Sequence, residues 1–407
     1  MTIPTGNAIE LTIPISNPST PDFLREAMAD FARKRNRPVE ITGHPWGVAW
    51  QELVKVALYK TGADVSGIGT TWIGSFVGME ALRPFSQREI ANLGGEAAYF
   101  TSAWQASRVI ANPQIWSIPY VLDARVIFYW RDMLERAGVA ESHAFQTAEQ
   151  IDETCHRLQA SGVATPWADE TGGPSPLNTF YFASSWVWAK GGDFISADGK
   201  HAIFNSAEAR AGLRAYYDLY RYMPHEPAPE TGEDVTDLFF DRRVAAIITG
   251  PWIFERERYR NLPADTLSRM GAALLPGPSF VGGVHLAAWA HVSPHIEPDV
   301  IELVRYLSAP QIQVSYAQQI GLLPARLDAL QQPPFATDPH LQIFVKALET
   351  GRAHTRIPLW GMVEDRLSTA LSAIWTSIKQ NPQQDLDVLI SEQMEPLADR
   401  LDMLLSR

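Results

Sequence analysis

The first seventy residues alternate between apolar patterns typical of buried strands and spacings typical of amphipathic helices. The strand patterns are Ile9–Ile15, Val39–Thr42 and Ala63–Ile68. The helical patterns between them are Asp22–Lys34 and Trp50–Lys60. Because a strand, a helix and a further strand in this order form right-handed βαβ units, the alternation predicts an α/β fold with a mostly parallel sheet covered by helices on both faces.

The alternation continues less regularly along the rest of the chain. Further strand patterns are Ile115–Tyr120, Val126–Trp130, Val244–Thr249, Ala272–Leu275 and Leu286–Val292. Further helical patterns are Thr147–Ala160, Ala207–Tyr222, Pro298–Leu307, Pro310–Ile320 and Asp365–Lys379. With 407 residues, the chain exceeds the size at which a single hydrophobic core stops growing, so two lobes are predicted.

The negative charge of the chain argues against binding to nucleic acids and to anionic membranes. It has a formal net charge of −12, with 34 Lys and Arg against 46 Asp and Glu. Nucleic acids and anionic membranes are bound mainly through clustered basic residues, so neither is expected. The sequence contains no run of 18 apolar residues, and Met1–Gly6 lacks the basic start and apolar stretch of an export signal. A soluble chain is therefore expected.

The cysteine and histidine content argues against a metal or a cofactor. The single cysteine, Cys155, excludes an intrachain disulfide and a cysteine metal cluster, and we expect it to be an inert, partly buried thiol. The ten histidines form no cluster with ligand spacing. No cofactor and no metal are expected.

Several tryptophans stand beside turn residues, at the predicted carboxyl ends of strands where ligands of such sheets bind. They are Trp46, Trp72, Trp252 and Trp360. Sugars present flat C–H faces to aromatic rings and hydroxyl groups to carboxylates and amides, so loop aromatics with a few acids suit a carbohydrate. Core packing is the alternative explanation for any one of these tryptophans.

The common catalytic motifs are absent from the sequence. It has no Gly-x-Ser-x-Gly, His-Glu-x-x-His or phosphate-loop motif, and Gly67–Gly69 is only a fragment of a dinucleotide-binding motif. Glycosidases need only two facing carboxylates, so a glycoside-active enzyme remains an alternative. His285 follows Gly282–Val284 and precedes a predicted strand, which makes it either a ligand contact or a hydrogen-bonded structural residue.

Six segments, in order along the chain, resemble motifs of one protein family, the family 1 extracellular solute-binding proteins of bacterial ABC importers, which include the maltose-binding protein. The segments are Ala63–Trp72, Trp116–Val139, Lys190–Ser206, Phe239–Trp252, Leu275–Gly283 and Gly321–Arg326. Phe239–Trp252 is the most specific match, and its residues also predict a strand that ends in a Gly-Pro turn presenting Trp252. The similarity extends over almost the whole chain.

The resemblance implies a periplasmic-binding-protein-like fold of type II, with two α/β lobes joined by a multi-segment hinge and an interlobe ligand cleft. The N-terminal lobe is expected at residues 1–122 and 275–323, and the C-terminal lobe at 123–274 and 324–407. The implied function is the substrate-binding component of an ABC transporter, which captures a carbohydrate by hinge closure and delivers it to the permease subunits. A periplasmic or lipid-anchored monomer that is not an enzyme is expected.

The pattern of loop aromatics and acids, read together with the resemblance, gives a set of candidate ligand-binding residues. Asp123 stands where the family often has a cleft carboxylate, and Trp46, Trp72, Trp252 and Trp360 are expected to stack on the sugar. The other candidates are Asn17, Thr71, Arg125, Tyr181 and His285. Asn17 and Thr71 lie in loops without an obvious acid, unlike maltodextrin binders, which argues against maltose itself. Arg125 either pairs with Asp123 or contacts an anionic ligand, so a binder of an anionic or phosphorylated metabolite is a further alternative.

Overall fold

The computed structural model describes residues 8–16, 22–110, 112–170, 177–224 and 234–406. The strands in chain order are β1 Ile9–Ile15, β2 Val39–Pro45, β3 Val65–Gly69, β4 Leu82–Arg83, β5 Ile118–Asp123, β6 Val126–Trp130, β7 Trp167–Ala168, β8 Ala246–Thr249, β9 Met270–Ala273, β10 Gly282–Trp289 and β11 Leu323–Pro324.

The α-helices in chain order are α1 Asp22–Arg35, α2 Trp46–Tyr59, α3 Ile73–Gly78, α4 Gln87–Asn92, α5 Thr101–Ala106, α6 Arg131–Arg136, α7 Glu141–Ala144, α8 Ala148–Ala160, α9 Leu177–Ala189, α10 Ala207–Tyr217, α11 Val235–Phe240, α12 Glu257–Arg260, α13 Ala264–Ser268, α14 Glu297–Leu307, α15 Pro310–Ile320, α16 Leu327–Leu330, α17 Pro339–Thr350, α18 Trp360–Gln380 and α19 Leu386–Leu405. Short 3₁₀ turns are Thr70–Trp72, Glu96–Ala98, Asp218–Tyr222 and Pro251–Glu255.

The chain packs into two compact units, neither of which is continuous in sequence. Unit 1 comprises residues 1–123, 281–338 and 356–361, and unit 2 comprises residues 124–280, 339–355 and 362–407. The predicted lobe boundaries lie close to the first two divisions. Residues 324–338 and 356–361, which the sequence analysis assigned to the C-terminal lobe, pack with unit 1. The lobe assignment itself stays a prediction.

Unit 1 is built on a seven-stranded mixed sheet. Its strand order is β11-β5-β10-β3-β1-β2, with β4 paired to the far end of β10. β1 is parallel to β2 and to β3, as the sequence predicted, but β10 is antiparallel to its neighbours β3 and β5. Fully buried apolar side chains from the strands, including Ile9, Val65 and Leu286, pack beneath the flanking helices.

A β-bulge interrupts the pairing of β10 with β5 between Val284 and His285. Gly283, the residue before Val284, has a φ of +128°, which lies in the region that favours glycine. A Cβ atom there would be 2.2 Å from the Val121 carbonyl oxygen, so no other residue fits.

Unit 2 is built on a four-stranded sheet in the order β7-β8-β6-β9. β6 is antiparallel to both β8 and β9, while the short β7 is parallel to β8. The helix α9 is buried on nearly all sides, from Thr179 to Trp188. A Cβ atom on Gly212 of α10 would lie 2.5 Å from the Val187 backbone, so α9 and α10 pack closely because position 212 is glycine.

Among the described helices, none is both long and apolar enough to cross a membrane. Cys155 is free and fully buried in α8, and burial raises the pKa of its thiol far above the usual value. The thiol is thus more deeply buried than the partly buried thiol that the sequence analysis predicted, and its inertness stays a prediction.

Candidate functional site

The carboxyl ends of the parallel strands in unit 1 carry several of the predicted ligand residues. β2 ends at Pro45 and leads directly into Trp46, and β3 ends at Gly69 before the turn that holds Thr71 and Trp72. β10 pairs Val284 with Gly69 and Gly282 with Asp123, so the register places Asp123 at the same edge of the sheet. Thr71 and Asp123 are both partly exposed.

Three tryptophans pack together at this edge and form what we call the tryptophan cluster: Trp46, Trp50 and Trp72. The Trp46 and Trp72 ring centroids are 5.5 Å apart and those of Trp50 and Trp72 are 5.7 Å apart, both in edge-to-face geometry. Trp72 is buried between the other two, whereas Trp46 is 39% exposed. The cluster therefore offers one indole ring to solvent on a rigid aromatic base.

The segment Ile357–Gly361 packs against α3 in the same unit. A Cβ atom on Gly74 would lie 2.4 Å from the Ile357 carbonyl oxygen, and one on Gly361 would lie 3.6 Å from the Trp50 ring. Trp360, within this segment, is only 2% exposed. Little of its ring is open to a ligand, and its predicted stacking role stays a prediction.

His285 is fully buried, which favours the hydrogen-bonded structural alternative; its contact with a ligand stays a prediction. It lies in the middle of β10, because that strand begins at Gly282 and not at Leu286, and its side chain is 0% exposed. Its Nδ1 forms hydrogen bonds with the hydroxyls of Ser117 at 3.0 Å and Ser107 at 3.3 Å. Burial lowers the pKa of the imidazole to about 3, so it is neutral at physiological pH.

In unit 2 the sheet register gathers a second set of residues at one edge. β6 begins at Val126, which pairs with Thr249 at the end of β8, and Ile127 pairs with Ala273 at the end of β9. Arg125, which precedes β6, and Trp252, in the turn after β8, therefore lie at the same edge. The Arg125 backbone N–H donates to Ser279 Oγ at 2.8 Å, which fixes the segment after β9 there as well.

Four side chains meet at this edge and form what we call the arginine–aromatic cluster: Arg125, Tyr181, Trp252 and Phe280. The guanidinium carbon of Arg125 is 4.9 Å from the Tyr181 ring centroid, 5.3 Å from that of Trp252 and 5.4 Å from that of Phe280. All three distances are within the range of a cation–π interaction. Arg125 is 4% exposed, while Trp252 is partly exposed.

Tyr181 connects this cluster to the interior of unit 2. Its ring stacks on Phe280 with centroids 4.2 Å apart, and Phe280 stacks in turn on His354 at 4.9 Å. The Tyr181 hydroxyl donates to Glu364 Oε1 at 2.9 Å, and both side chains are buried. Burial first, and then the nearby charges of Arg352 and Arg125, lower the pKa of His354 well below its usual value.

Asp169 is a candidate that the sequence analysis missed. It follows β7, and because β7 is parallel to β8, it lies at the same edge as the turn containing Trp252. Its carboxyl group is fully buried, and burial raises its pKa to about 7 although the Tyr216 hydroxyl partly offsets this. The strand before it is only two residues long, which left no periodic pattern for the sequence analysis to detect.

The structure thus brings the predicted residues together in two groups, one in each unit. In unit 1 the group is Trp46, Thr71, Trp72 and Asp123, and in unit 2 it is Arg125, Tyr181 and Trp252. Asn17 lies outside the described residues. Within the ranges the structure describes, no group of three or more His, Cys, Asp or Glu side chains is placed to hold a metal ion.

Each group combines aromatic faces with hydrogen-bonding groups. Partly exposed indole rings suit the C–H faces of a sugar ring, and a carboxylate such as Asp123 accepts hydrogen bonds from sugar hydroxyls. The Arg125 guanidinium lies within cation–π distance of three rings in unit 2.

Comparisons with known proteins bear on both the family and the fold. Residues 26–343 match the family described as bacterial extracellular solute-binding protein. A binding protein of Brucella abortus is 22% identical over 343 residues, which cover 81% of this chain and 79% of that protein. The maltotriose-binding protein of Pyrococcus abyssi is 19% identical over 362 residues, or 85% of this chain and 73% of that protein.

The solved structure of the sugar-binding protein MalE from Xanthomonas citri is also similar. It matches with a TM-score of 0.80 at 23% identity, covering 98% of this chain and 97% of that chain. At this identity the likeness shows the fold, and the predicted periplasmic-binding-protein-like α/β class is confirmed.

Proposed function

The chain belongs to the bacterial extracellular solute-binding proteins, and from that premise we propose that it captures a carbohydrate outside the cytoplasm for an ABC importer. Its partners are a small carbohydrate ligand and the permease subunits of the importer, and it acts as a monomer. It binds its ligand without chemical turnover. Two relatives or structural neighbours bear the descriptions maltotriose-binding and sugar-binding, which supports a carbohydrate as the class of ligand.

The observation that carries the proposal is the arginine–aromatic cluster at the sheet edge of unit 2. Trp252 is partly exposed there, and its ring is held among buried neighbours, so its free face is a flat, rigid platform. A flat indole face matches the axial C–H surface of a pyranose or furanose ring. An ordered ring loses little conformational entropy when the ligand binds.

The unit 1 edge supplies groups of the same kind. Trp46 exposes its ring above the buried Trp72, and Asp123 is partly exposed at the end of β5. A carboxylate that accepts hydrogen bonds from two hydroxyls gives both affinity and orientation to a neutral sugar. The unit 1 edge on its own thus provides both an aromatic surface and an acceptor of the kind that carbohydrate recognition requires.

The experiment that tests the proposal is a binding screen followed by product analysis. The purified protein is incubated with mono-, di- and oligosaccharides, maltotriose among them, and with anionic metabolites; thermal shift reports binding and chromatography reports products. We expect stabilisation by at least one neutral carbohydrate and no product. Release of shorter sugars would instead support a glycoside-active enzyme, and stabilisation only by anionic compounds would support a binder of anionic metabolites.

Trp252→Ala tests the site itself. Losing a large aromatic contact of roughly 1.5 to 3 kcal/mol should weaken binding of the sugar identified in the screen by one to two orders of magnitude. Tyr220→Ala, on a 3₁₀ turn of the same unit, serves as a control that also removes an aromatic ring. Equal affinities of wild type and Trp252→Ala in calorimetry would remove Trp252 from the site.

A further inference from the structure

Arg125 is a buried cation whose surroundings are aromatic. Its guanidinium carbon lies 4.9 to 5.4 Å from the centroids of Tyr181, Trp252 and Phe280, and only 4% of the residue is exposed. A planar guanidinium stacks on flat rings, whereas a lysine ammonium is a compact point charge. The planar guanidinium of Arg125 is therefore a common neighbour of all three rings.

The backbone holds Arg125 firmly in place. Its N–H donates to Ser279 Oγ at 2.8 Å, and the next residue, Val126, pairs with Thr249 of β8. The turn that carries Trp252 begins immediately after β8, at Gly250. The backbones of Arg125 and Trp252 are thus positioned by the same pair of strands, and their side chains meet with the guanidinium carbon 5.3 Å from the indole centroid.

The Trp252 ring is confined on another side by Gly250. A Cβ atom on Gly250 would lie 2.0 Å from ring carbon Cζ3 of Trp252, so the indole rests on the bare backbone. With Gly250 on one side and the guanidinium of Arg125 beside it, the ring has little freedom to rotate. Tyr181 is held in a comparable way by Phe280, at 4.2 Å, and by Glu364.

We propose that Arg125 is a positioning residue of the carbohydrate site: it fixes the plane of Trp252, and with it Tyr181, so that the indole face is already oriented when the sugar arrives. This inference rests on the proposed function. The sugar contacts the rings, and Arg125 acts through them, so neutral carbohydrates are the class of ligand that the arginine favours. The charge of Arg125 is engaged with the faces of the rings, whose quadrupoles attract it.

The first test needs no ligand. The protein, with its 13 tryptophans, is labelled with 5-fluorotryptophan and studied by fluorine NMR, and Trp252→Phe identifies the Trp252 resonance. We expect Arg125→Met to shift or broaden that resonance and Arg125→Lys to do so to a smaller extent. An unchanged Trp252 resonance in Arg125→Met overturns the proposal.

Arg242→Met is the matched control. Arg242 makes the same kind of contact, with its guanidinium carbon 4.3 Å from the Trp130 centroid, at the opposite end of β6. In this variant the Trp130 resonance, identified with Trp130→Phe, should move while the Trp252 resonance stays in place. A shift of Trp252 in the control would show that loss of any arginine disturbs that ring, and it would overturn the specific role of Arg125.

The second test measures affinity for maltotriose by calorimetry and the melting temperature of the same variants. Arg125→Met should weaken binding about tenfold or more, and Arg125→Lys should restore part of the loss, while Arg242→Met lowers only the melting temperature. If Trp252→Ala weakens binding and Arg125→Met does not, the positioning role is overturned and the proposed function stands. If the wild type does not bind maltotriose, the NMR result still decides the positioning role, and the sugar screen decides the function.

Discussion

The indole ring of Trp252 lies directly on the backbone of Gly250, so closely that a Cβ atom on Gly250 would be 2.0 Å from ring carbon Cζ3 and 2.2 Å from Cη2. The φ of Gly250 is −104°, which any residue adopts, so glycine is needed there for space and not for backbone conformation. The Trp252 ring can therefore occupy its position only because residue 250 has no side chain.

Gly250→Ala is therefore expected to displace the Trp252 ring. Affinity for the sugar found in the binding screen should fall about tenfold or more, because the stacking face turns away from its position. Calorimetry checks the affinity, and the melting temperature reports the fold. Wild-type affinity in this variant would show that the ring tolerates displacement and is not a stacking platform.

Gly47→Ala provides the matched control. A Cβ atom on Gly47, in α2, meets nothing within 4 Å, and alanine has a higher helix propensity than glycine by about 1 kcal/mol. This variant should be at least as stable as the wild type. The contrast separates the steric effect at Gly250 from the general effect of replacing a glycine.

Strands and helices with a clear apolar pattern could be predicted from the sequence. β1 at Ile9–Ile15, β6 at Val126–Trp130 and α15 at Pro310–Ile320 begin and end where the patterns predicted. In each case hydrophobic periodicity and flanking turn residues agree, so local preference and tertiary packing favour the same structure.

Other elements could not be predicted because their signal is not local. α9 is apolar on every face, from Leu177 to Ala189, and so has no amphipathic period to detect. β10 begins with Gly282 and Gly283, which read as a turn until the pairing with β5 is known. That error in the start of β10 placed His285 at a loop end, although it lies in the middle of a buried strand.

Only part of the candidate site could be predicted, because some of its residues have a local sequence signal and others do not. Residues beside Gly-Pro or Pro-Trp turns, such as Trp46 and Trp252, could be assigned to strand ends from the sequence. Contacts between distant segments could not, and the grouping of Arg125 with Tyr181 and Phe280 depends on such contacts.

Asp169→Asn is expected to stabilise the protein at neutral and alkaline pH. The folded-state pKa of Asp169 is raised to about 7, above the ordinary value of 3.8, so the unfolded chain loses this proton first as the pH rises. The stability contributed by Asp169 is therefore lost between about pH 4 and pH 7, by an amount on the order of 4 kcal/mol at most.

Urea unfolding at pH 4 and pH 8 measures this effect. The gain in free energy of unfolding for Asp169→Asn over wild type should be larger at pH 8 than at pH 4. Asp198→Asn is a control with the opposite sign, since hydrogen bonds from Ser196 and Lys200 lower the pKa of exposed Asp198. An equal effect of Asp169→Asn at both pH values would show that Asp169 ionises normally.

His285 should make the protein sensitive to acid. Burial lowers the pKa of its imidazole from 6.5 to about 3, so the unfolded chain takes up a proton first as the pH falls. The contribution of neutral His285 is complete above pH 6.5 and is lost as the pH falls towards 3, at no more than about 1.4 kcal/mol per pH unit.

The measurement compares wild type with His285→Gln by urea unfolding from pH 7.5 to pH 4. His285→Gln should be less stable at pH 7.5, because the hydrogen bonds with Ser107 and Ser117 are altered, yet its stability should fall less steeply with acid. Since His354 titrates in both proteins, the difference between the two curves isolates His285. Parallel curves would contradict the prediction.

Asp123→Asn is expected to weaken binding of a neutral sugar about ten- to a hundredfold with little change in melting temperature. Asp123 ends β5 at the same sheet edge as Gly69 and is partly exposed, so its carboxylate is placed to accept hydrogen bonds from sugar hydroxyls. Hydrogen bonds to a charged acceptor contribute about 1.5 to 3 kcal/mol, and asparagine keeps the shape while removing the charge. An anionic ligand responds in the opposite direction, because removing a nearby negative charge relieves repulsion. Calorimetry and thermal unfolding of the same variant distinguish the outcomes: lower affinity at constant stability supports the sugar site, tighter binding indicates an anionic ligand, and a lower melting temperature alone assigns Asp123 a structural role.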